Sequence, residues 1–232
     1  MEARLDGRVA VITGASRGIG AAVALGCWRL GAQVVRLARS LADGVHDGVR
    51  DIPCDVADWA QVERAARTIE REYGVPDLVV NNAGAFLLQP LEQTSAADFA
   101  RQVDVNLRGP FHVARAFLPG MRAAGQGRFI TIGSVADHVA YPGNSAYAAS
   151  KFGLRGLHET LLAEFQGGGV MLTLVSPGPT DTAAWDPIDP DRREGFIRRA
   201  DMLRPADVAD AVLFAATRPA HVRVDWLRVM PG

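Results

Sequence analysis

Lysine, cysteine and long apolar runs are all scarce in this 232-residue sequence. Two cysteines are too few for a disulfide framework, and they show no ligand spacing with the five histidines, so we expect reduced thiols and no metal site. A net charge of −1 with scattered arginines gives no basic stripe for nucleic acid. No run approaches the roughly 18 to 20 apolar residues of a membrane span. We therefore expect a cytoplasmic protein that binds neither membranes nor nucleic acids.

Short β-branched runs alternate with longer amphipathic segments along the chain. This alternation is typical of βαβ units and predicts strands at 9–13, 33–38, 77–81, 128–132 and 170–175, with helices at 19–30, 59–73, 111–124 and 146–165. We expect an α/β fold: one domain over residues 1–232, built on a doubly wound parallel sheet with helices on both faces. Towards the end, Asp189 as N-cap and Pro190 at the first helical position predict a short helix. A helix from about 205 and a strand at about 222–229 follow.

A glycine-rich turn, TGASRGIG at residues 13–20, joins the first predicted strand to the first predicted helix. A backbone that passes close to a pyrophosphate at a helix N-terminus needs glycine, because a Cβ would block the approach. Gly14, Gly18 and Gly20 fit that role. The alternative is a purely structural turn between strand and helix.

Five motifs in order resemble those of the short-chain dehydrogenases/reductases. They are TGxxxGxG at 13–20, NNAG at 81–84, Asn106 before a long predicted helix, Ser134 after a strand, and Tyr147-x-x-x-Lys151. The resemblance covers about residues 7–229. It implies a Rossmann-like sheet of about seven strands, a nicotinamide cofactor, and oxidoreduction of small alcohols and carbonyl compounds.

The only lysine of the chain, Lys151, follows Tyr147 by one helical turn, so the two side chains share a face. We expect Tyr147 to be the acid/base and Lys151 to lower its pKa and to bind ribose hydroxyls, which a compact ammonium does better than a planar guanidinium. Ser134 is expected to donate to the substrate oxygen. By resemblance, Asn106 holds a water that relays protons. Alternatively, Tyr147 and Lys151 form an exposed helical pair, and Asn106 pairs with backbone.

Cofactor choice depends on the residues after the second strand, where an acidic side chain would bind a ribose 2′-hydroxyl and a basic one a 2′-phosphate. By resemblance, Ala38 occupies the usual acidic position, and Arg39 follows it. Arg17 in the glycine loop is a second basic residue. These residues favour NADP(H) over NAD(H), although both arginines could be solvated surface. Asp55 is similar to the family residue near the adenine.

The resemblance implies a wider set of cofactor contacts. Asn81 and Asn82 are expected mainly to brace the sheet, and the segment from Pro177 resembles the loop that grips the nicotinamide carboxamide. The full set of predicted cofactor residues, besides Tyr147 and Lys151, is Gly14, Ser16, Arg17, Gly18, Ile19, Gly20, Arg39, Asp55, Val56, Asn82, Ala83, Gly84, Pro177, Gly178, Thr180 and Thr182.

The family's variable substrate lid should span about residues 183–203. Its arginine pairs at 192–193 and 198–199 would either attract an acidic substrate or form a solvated surface. The predicted pocket walls, besides Ser134, are Phe86, Ala136, His138, Tyr141, Pro179 and Trp185. His138 could donate to a substrate oxygen or could simply be solvated.

The sequence therefore predicts an NADP(H)-dependent carbonyl reductase or alcohol dehydrogenase. Two alternatives stay open: a catalytically silent NADP(H)-binding sensor, and the same chemistry with NAD(H). The resemblance also implies a homodimer or homotetramer. The substrate itself is not specified by any motif.

Overall fold

A computed structural model describes residues 4–232 and contains one mostly parallel sheet. Its strands are β1 (Val9–Thr13), β2 (Gln33–Ala38), β3 (Gly44–His46), β4 (Val49–Pro53), β5 (Leu78–Asn81), β6 (Gly127–Ile132), β7 (Val170–Pro177) and β8 (Trp226–Val229). The spatial order is β3-β4-β2-β1-β5-β6-β7-β8. Every neighbouring pair is parallel except β3 and β4.

Helices cover both faces of the sheet, as predicted. They are α1 (Gly18–Arg29), α2 (Trp59–Tyr73), α3 (Ala96–Val103), α4 (Gly109–Ala124), α5 (Ser145–Glu164) and α6 (Pro205–Ala216). Successive residues of a strand face opposite sides. Ala10 and Ile12 therefore join a core with α1 and α6, whereas Val9 and Val11 join a core with α2 and α4. This two-sided burial confirms the doubly wound α/β fold.

The strand count is eight rather than about seven because β3 and β4 form an edge hairpin. Asp47 and Gly48 connect them, with φ values of 52° and 78°. Two positive φ values in a two-residue loop match the twist of a hairpin, and Asp-Gly is a favoured pair for such a turn. The additional strand lies at the sheet edge and does not reach the centre.

The helix around Asn106 starts earlier than predicted. Ser95 accepts a hydrogen bond from the Asp98 backbone N–H at 3.1 Å and so begins α3, which the sequence analysis missed. A π-helical segment, Asp104–Arg108, then joins α3 to α4. Such segments are rare and are often found at functional sites. Asn106 thus lies inside a helical stretch rather than in front of it.

Two predictions near the C-terminus need correction. The last strand begins at Trp226, four residues later than expected. The short helix after Asp189 exists as one 3₁₀ turn, Pro190–Arg192. However, Asp189 has φ 50° and its side chain makes no cap hydrogen bond, so this residue is not a conventional N-cap.

The sheet order reverses at β1, which lies between β2 and β5. In open α/β sheets, a crevice opens beyond the carboxyl ends of the strands at such a switch point. The glycine loop and the NNAG motif both lie at these ends. Among residues 4–232, no helix has the length and apolar character needed to cross a bilayer.

Candidate active site

A cleft of about 1500 Å³ opens at the carboxyl ends of β1, β5, β6 and β7. Nearly all residues predicted for the site line it. They are Gly14, Ser16, Arg17, Gly18, Ile19, Arg39, Asp55, Val56, Asn82, Ala83, Gly84, Phe86, Ser134, Ala136, Tyr141, Tyr147, Lys151, Pro177, Gly178, Pro179, Thr180, Thr182 and Trp185. Gly20, Asn106 and His138 are the predicted site residues that do not line the cleft.

The glycine loop brings the backbone of β1 close to the chain that follows β5. Gly14 has φ +65°, and a Cβ there would lie 2.8 Å from the Ala83 Cα. Gly18 has φ +59° and begins α1, whose first turn receives no side-chain cap. Unpaired N–H groups at a helix N-terminus attract anions. These features fit a dinucleotide pyrophosphate.

Gly20 serves packing rather than lining the cleft. A Cβ at this position would lie 2.5 Å from both the Asn82 Nδ2 and the Gly14 carbonyl oxygen. The helix can therefore approach the loop and the NNAG motif only if residue 20 has no side chain. The prediction that Gly20 contacts the cofactor is corrected to this supporting role.

Hydrogen bonds hold the ends of β1 and β5 together. The Thr13 hydroxyl accepts the backbone N–H groups of Asn82 and Ala83, each at 2.9 Å. The Asn82 amide donates to the Thr13 carbonyl at 2.8 Å, and the Asn81 amide donates to the Pro110 carbonyl at 3.1 Å. The two asparagines brace the sheet, as predicted.

Lys151 lies one turn after Tyr147 on α5 and is only 5% exposed. Its Nζ is 5.8 Å from the centre of the Tyr147 ring and donates to the Ile132 carbonyl at 3.1 Å. Burial lowers the pKa of Lys151 to about 8, although the nearby Asp137 carboxylate opposes this shift. The buried ammonium therefore stays mostly charged at pH 7. An exposed helical pair is excluded by this burial.

Burial raises the pKa of Tyr147 to about 12, and Asp137 adds to the increase. The side chain of Ser134 interacts with the phenol and lowers the pKa in part. The prediction that Lys151 lowers the pKa of Tyr147 below its usual value is therefore wrong for this arrangement. The physical reason is that desolvation of the phenol dominates, while the ammonium is directed to the Ile132 carbonyl. At neutral pH, Tyr147 is a protonated phenol.

Asn106 is fully buried, and its amide is occupied by protein groups. Its Oδ1 accepts the Ala85 N–H at 2.8 Å, and its Nδ2 donates to the Ala85 carbonyl at 2.9 Å and to the Gln102 and Ser150 side chains at 3.0 Å. The side chain therefore fixes the loop after β5. This pairing is the structural alternative considered from the sequence.

Ser134 is held by a buried carboxylate that the sequence analysis missed. Asp137 is fully buried, and its Oδ2 accepts the Ser134 backbone N–H at 3.1 Å and the Ser176 hydroxyl at 2.9 Å. The Ser134 Oγ in turn accepts the Ala136 N–H at 3.1 Å. A serine followed three residues later by an acidic residue is a capping-box pattern, which is the signal that could have identified Asp137.

His138 faces the sheet edge rather than the cleft, which corrects its predicted place in the pocket wall. Its ring stacks on the Trp226 indole, with centroids 4.4 Å apart and planes at 9°. Its Nδ1 contacts the other oxygen of Asp137, and the Trp226 N–H donates to the Ser176 hydroxyl at 3.0 Å. A closed network therefore connects β8 to Ser134.

The end of the cleft beyond β2 is mainly basic. Arg17 and Arg39 both line it, and the Arg39 Nη1 is 4.0 Å from the Asp55 carboxylate. By contrast, Arg36 is bound by Asp51 through two hydrogen bonds of 2.6 and 2.7 Å. Arg36 is therefore not available to a cofactor phosphate.

The segment after β7 closes the other end of the cleft. A Cβ on Gly18 would lie 3.3 Å from the Thr182 methyl, so this segment meets the glycine loop. The Thr182 hydroxyl accepts the Ala184 N–H at 3.4 Å, whereas the buried Thr180 hydroxyl donates to the Gly178 carbonyl at 3.0 Å. Thr180 therefore uses its donor within the loop.

An aromatic ring packs against the phenol, and a second ring packs against the first. The Phe86 ring packs edge to face against the Tyr147 ring, with centroids 4.9 Å apart. The centroids of the Phe86 and Trp185 rings are 5.0 Å apart. Leu88 also lines the cleft and was not predicted, whereas Phe196 and Ile197 line it from within the predicted lid segment 183–203. Among residues 4–232, no group of His, Cys, Asp or Glu is arranged to hold a metal ion.

The sequence is similar to those of known oxidoreductases. The family described as short chain dehydrogenase matches residues 8–193. The D-threitol dehydrogenase of Mycolicibacterium smegmatis is 36% identical over 230 residues, covering 94% of this chain and 88% of the relative. Glycine betaine reductase ATRR of Emericella nidulans is 35% identical over 98% of this chain, which spans only 19% of that relative.

A solved structure of a metagenomic short-chain oxidoreductase in complex with NADP superposes with a TM-score of 0.82. It is 32% identical, and the match covers 98% of each chain. Together with the cleft at the switch point, these similarities define a Rossmann-type oxidoreductase. The chain belongs to the short-chain dehydrogenase/reductase family.

Proposed function

We propose that this protein is an NADP(H)-dependent oxidoreductase that interconverts a small carbonyl compound and its alcohol. The observation that carries the proposal is the position of Tyr147, Lys151 and Ser134 on the wall of the cleft that the glycine loop also lines. Tyr147 is protonated at neutral pH, and Lys151 is mostly charged. The similarity to a dehydrogenase of a small polyol supports alcohol and carbonyl chemistry.

When bound, the nicotinamide supplies or accepts the hydride. In the reducing direction, the Tyr147 phenol donates its proton to the carbonyl oxygen, and the Ser134 hydroxyl donates a hydrogen bond to the same oxygen as charge develops there. The Lys151 ammonium stabilises the phenolate that Tyr147 leaves behind. Asp137 acts as a positioning residue because it fixes the backbone of Ser134. Asn106 fixes the adjoining loop. We also propose that a water held beside Asn106 relays protons.

The cofactor is proposed to lie along the cleft from Arg39 to Thr182. Its pyrophosphate would meet the uncapped start of α1, and its adenosine end would lie near Asp55. Arg17 and Arg39 bring two positive charges to that end, against the single carboxylate of Asp55. This excess of positive charge favours a ribose 2′-phosphate, and hence NADP(H). A relative solved in complex with NADP supports this choice.

Replacing Tyr147 by Phe removes only the hydroxyl that donates the proton. We expect NADPH consumption with carbonyl substrates to fall on the order of 1000-fold, within the range for loss of a general acid. NADPH affinity, measured by fluorescence titration, should change less than about twofold. Turnover by the variant near the wild-type rate would contradict the proposed function.

Replacing Arg39 by Ala tests the cofactor. Loss of one charge-assisted hydrogen bond to a phosphate should weaken NADPH binding roughly tenfold or more, while NADH binding stays unchanged. Calorimetric titration of both cofactors against the wild type and the variant measures the difference. If the wild type binds NADH more tightly than NADPH, the cofactor assignment is wrong.

We also propose that residues 183–203 act as a substrate lid.

A further proposal is that the chain assembles into a homodimer or homotetramer. The outer faces of α4 and α5 expose the rings of Phe111 and Phe152, which are 45% and 44% exposed. Large exposed rings on neighbouring helices favour burial in an interface. Light scattering of the purified protein gives the assembly size.

A further inference from the structure

We infer that the substrate is an uncharged ketone with an aromatic ring close to its carbonyl group, or the corresponding alcohol. This inference rests on the proposed function, because it names the substrate class of the same site. Three features of the cleft support it: the rings beside the phenol, the location of the charged groups that line the cleft, and the pairing of the nearby arginines.

The aromatic wall is continuous from the reacting phenol to the lid segment. Phe86 contacts Tyr147 edge to face on one side and Trp185 on the other. Tyr141 and Phe196 also line the cleft and are 46% and 36% exposed. Aromatic pairs prefer edge-to-face or offset arrangements at 4.5 to 7 Å, so a substrate ring that joins this group gains specific contacts. A carbonyl at Tyr147 places that ring next to Phe86.

The charged residues that line the cleft are not available to bind an anionic substrate. Arg17, Arg39 and Asp55 lie at the end assigned to the cofactor. Lys151 is buried against the Ile132 carbonyl, and Asp181 is bound by Arg199 at 2.7 Å. A substrate carboxylate or phosphate in the aromatic part would therefore lose water without gaining a charged partner, which is costly.

The lid arginines do not supply that missing partner. Arg199 is held by Asp181 and Asp186 at 2.7 and 2.6 Å, Arg198 by Asp201 at 2.9 Å, and Arg192 by Asp189 at 3.4 Å. Arg193 lies over the Phe196 ring at 5.9 Å. The four arginines themselves do not line the cleft. The acidic-substrate alternative considered from the sequence therefore finds no support in this segment.

A polyol or hydroxy-ketone fits the aromatic wall poorly for a related reason. Each additional hydroxyl needs a hydrogen-bond partner once it leaves water. The side chains that Phe86, Leu88, Trp185, Phe196 and Ile197 present to the cleft have no acceptor, and the Trp185 N–H is the only donor among them. Tyr141 and Asn144 also line the cleft, and the buried Asn144 Oδ1 has no hydrogen-bond partner. The five side chains named above therefore favour an apolar ring, whereas an additional hydroxyl group would have to reach Tyr141 or Asn144.

Three ketones test this substrate class: acetophenone, dihydroxyacetone and pyruvate. NADPH consumption by the wild-type enzyme should give a kcat/KM for acetophenone on the order of 100-fold above that for either polar ketone. A preference for dihydroxyacetone or pyruvate would overturn the substrate class while leaving the proposed function intact. NADPH binding without turnover of any of the three ketones, or of a broader carbonyl panel, would instead count against the proposed function.

Trp185→Ala and Trp28→Ala form a matched pair of variants, because Trp28 lies on α1, outside the cleft, and is 46% exposed. Trp185→Ala should raise KM for acetophenone roughly tenfold, a clearly larger change than the one for dihydroxyacetone. Trp28→Ala should change neither. An equal rise in KM for acetophenone and for dihydroxyacetone would contradict a contact between the substrate ring and Trp185. Should Trp185→Ala fail to fold, Phe86→Leu keeps an apolar side chain but removes the ring, and the same selective loss is expected.

Discussion

The backbone forms most of the cofactor half of the cleft, around the glycine loop, whereas side chains form most of the catalytic half, around Tyr147 and Ser134. In the cofactor half, the decisive features belong to the backbone: positive φ at Gly14 and Gly18, and the uncapped start of α1. In the catalytic half, they belong to side chains, among which a buried carboxylate, Asp137, fixes Ser134. The same sheet edge therefore supports two kinds of site.

This difference determines how each half fails. A backbone site depends on the absence of atoms, so adding one carbon is enough to damage it. A side-chain site depends on a network of partners, so removing one acceptor leaves several donors without partners. The cofactor half should thus be sensitive to insertion of bulk, and the catalytic half to loss of polar groups.

Gly14→Ala should break the cofactor half and give the largest effect. The new Cβ would lie 2.8 Å from the Ala83 Cα, and alanine disfavours φ +65°. We expect NADPH affinity to fall on the order of 100-fold by fluorescence titration. The control is Gly156→Ala on α5, where nothing lies within 4 Å of the new Cβ, so affinity should be unchanged. Equal affinities for the two variants would contradict a backbone-built site.

Asp137→Ala should impair the catalytic half and spare the cofactor half. It leaves the Ser134 N–H and the Ser176 hydroxyl without their acceptor, so kcat should fall roughly 10- to 100-fold, as for a misplaced oxyanion donor. NADPH affinity should remain within about twofold. Asp137→Asn keeps an oxygen for the Ser134 N–H and should recover most of the lost kcat. A purely structural role would instead lower the amount of active enzyme in both variants without changing the turnover of the folded fraction.

The pH dependence of carbonyl reduction tests the catalytic half alone, and the expected change in kcat/KM is smaller than the changes predicted above. The pKa of Lys151 is lowered to about 8, so the ammonium is charged below this pH and is lost as the pH rises through it. The kcat/KM for reduction should decline above pH 8 to roughly one tenth at pH 9. Lys151→Arg should work more slowly but show no such decline, because a guanidinium stays charged. A wild-type profile that is flat to pH 10 would exclude the role of Lys151.

Much of the fold was predictable because its signals are local. Short β-branched runs between amphipathic segments predicted the central strands, and the glycine loop predicted a phosphate-binding turn, whose Gly14 and Gly18 line the cleft. The edge hairpin was missed although Asp47-Gly48 carried a turn signal. The π-helical segment around Asn106 has no comparable signal, since this segment and α3 pack against α5, which is distant in the sequence.

The catalytic half was predicted only in its motif residues. Spacing placed Tyr147 and Lys151 on one helical face, but it could not show that burial raises the pKa of the phenol. His138 was predicted to line the pocket wall. Its true partner is Trp226, which only the pairing of β7 with β8 brings near.

The most direct test of the central claim, proton transfer by Tyr147 coupled to hydride transfer in this cleft, uses NADPH that carries deuterium at the transferable C4 position. Wild-type enzyme and Tyr147→Phe are incubated with the same ketone, and the alcohol is analysed by mass spectrometry. We expect one deuterium on the carbinol carbon with the wild type and almost no product with the variant. Alcohol without deuterium, or equal yields from both enzymes, would contradict the central claim.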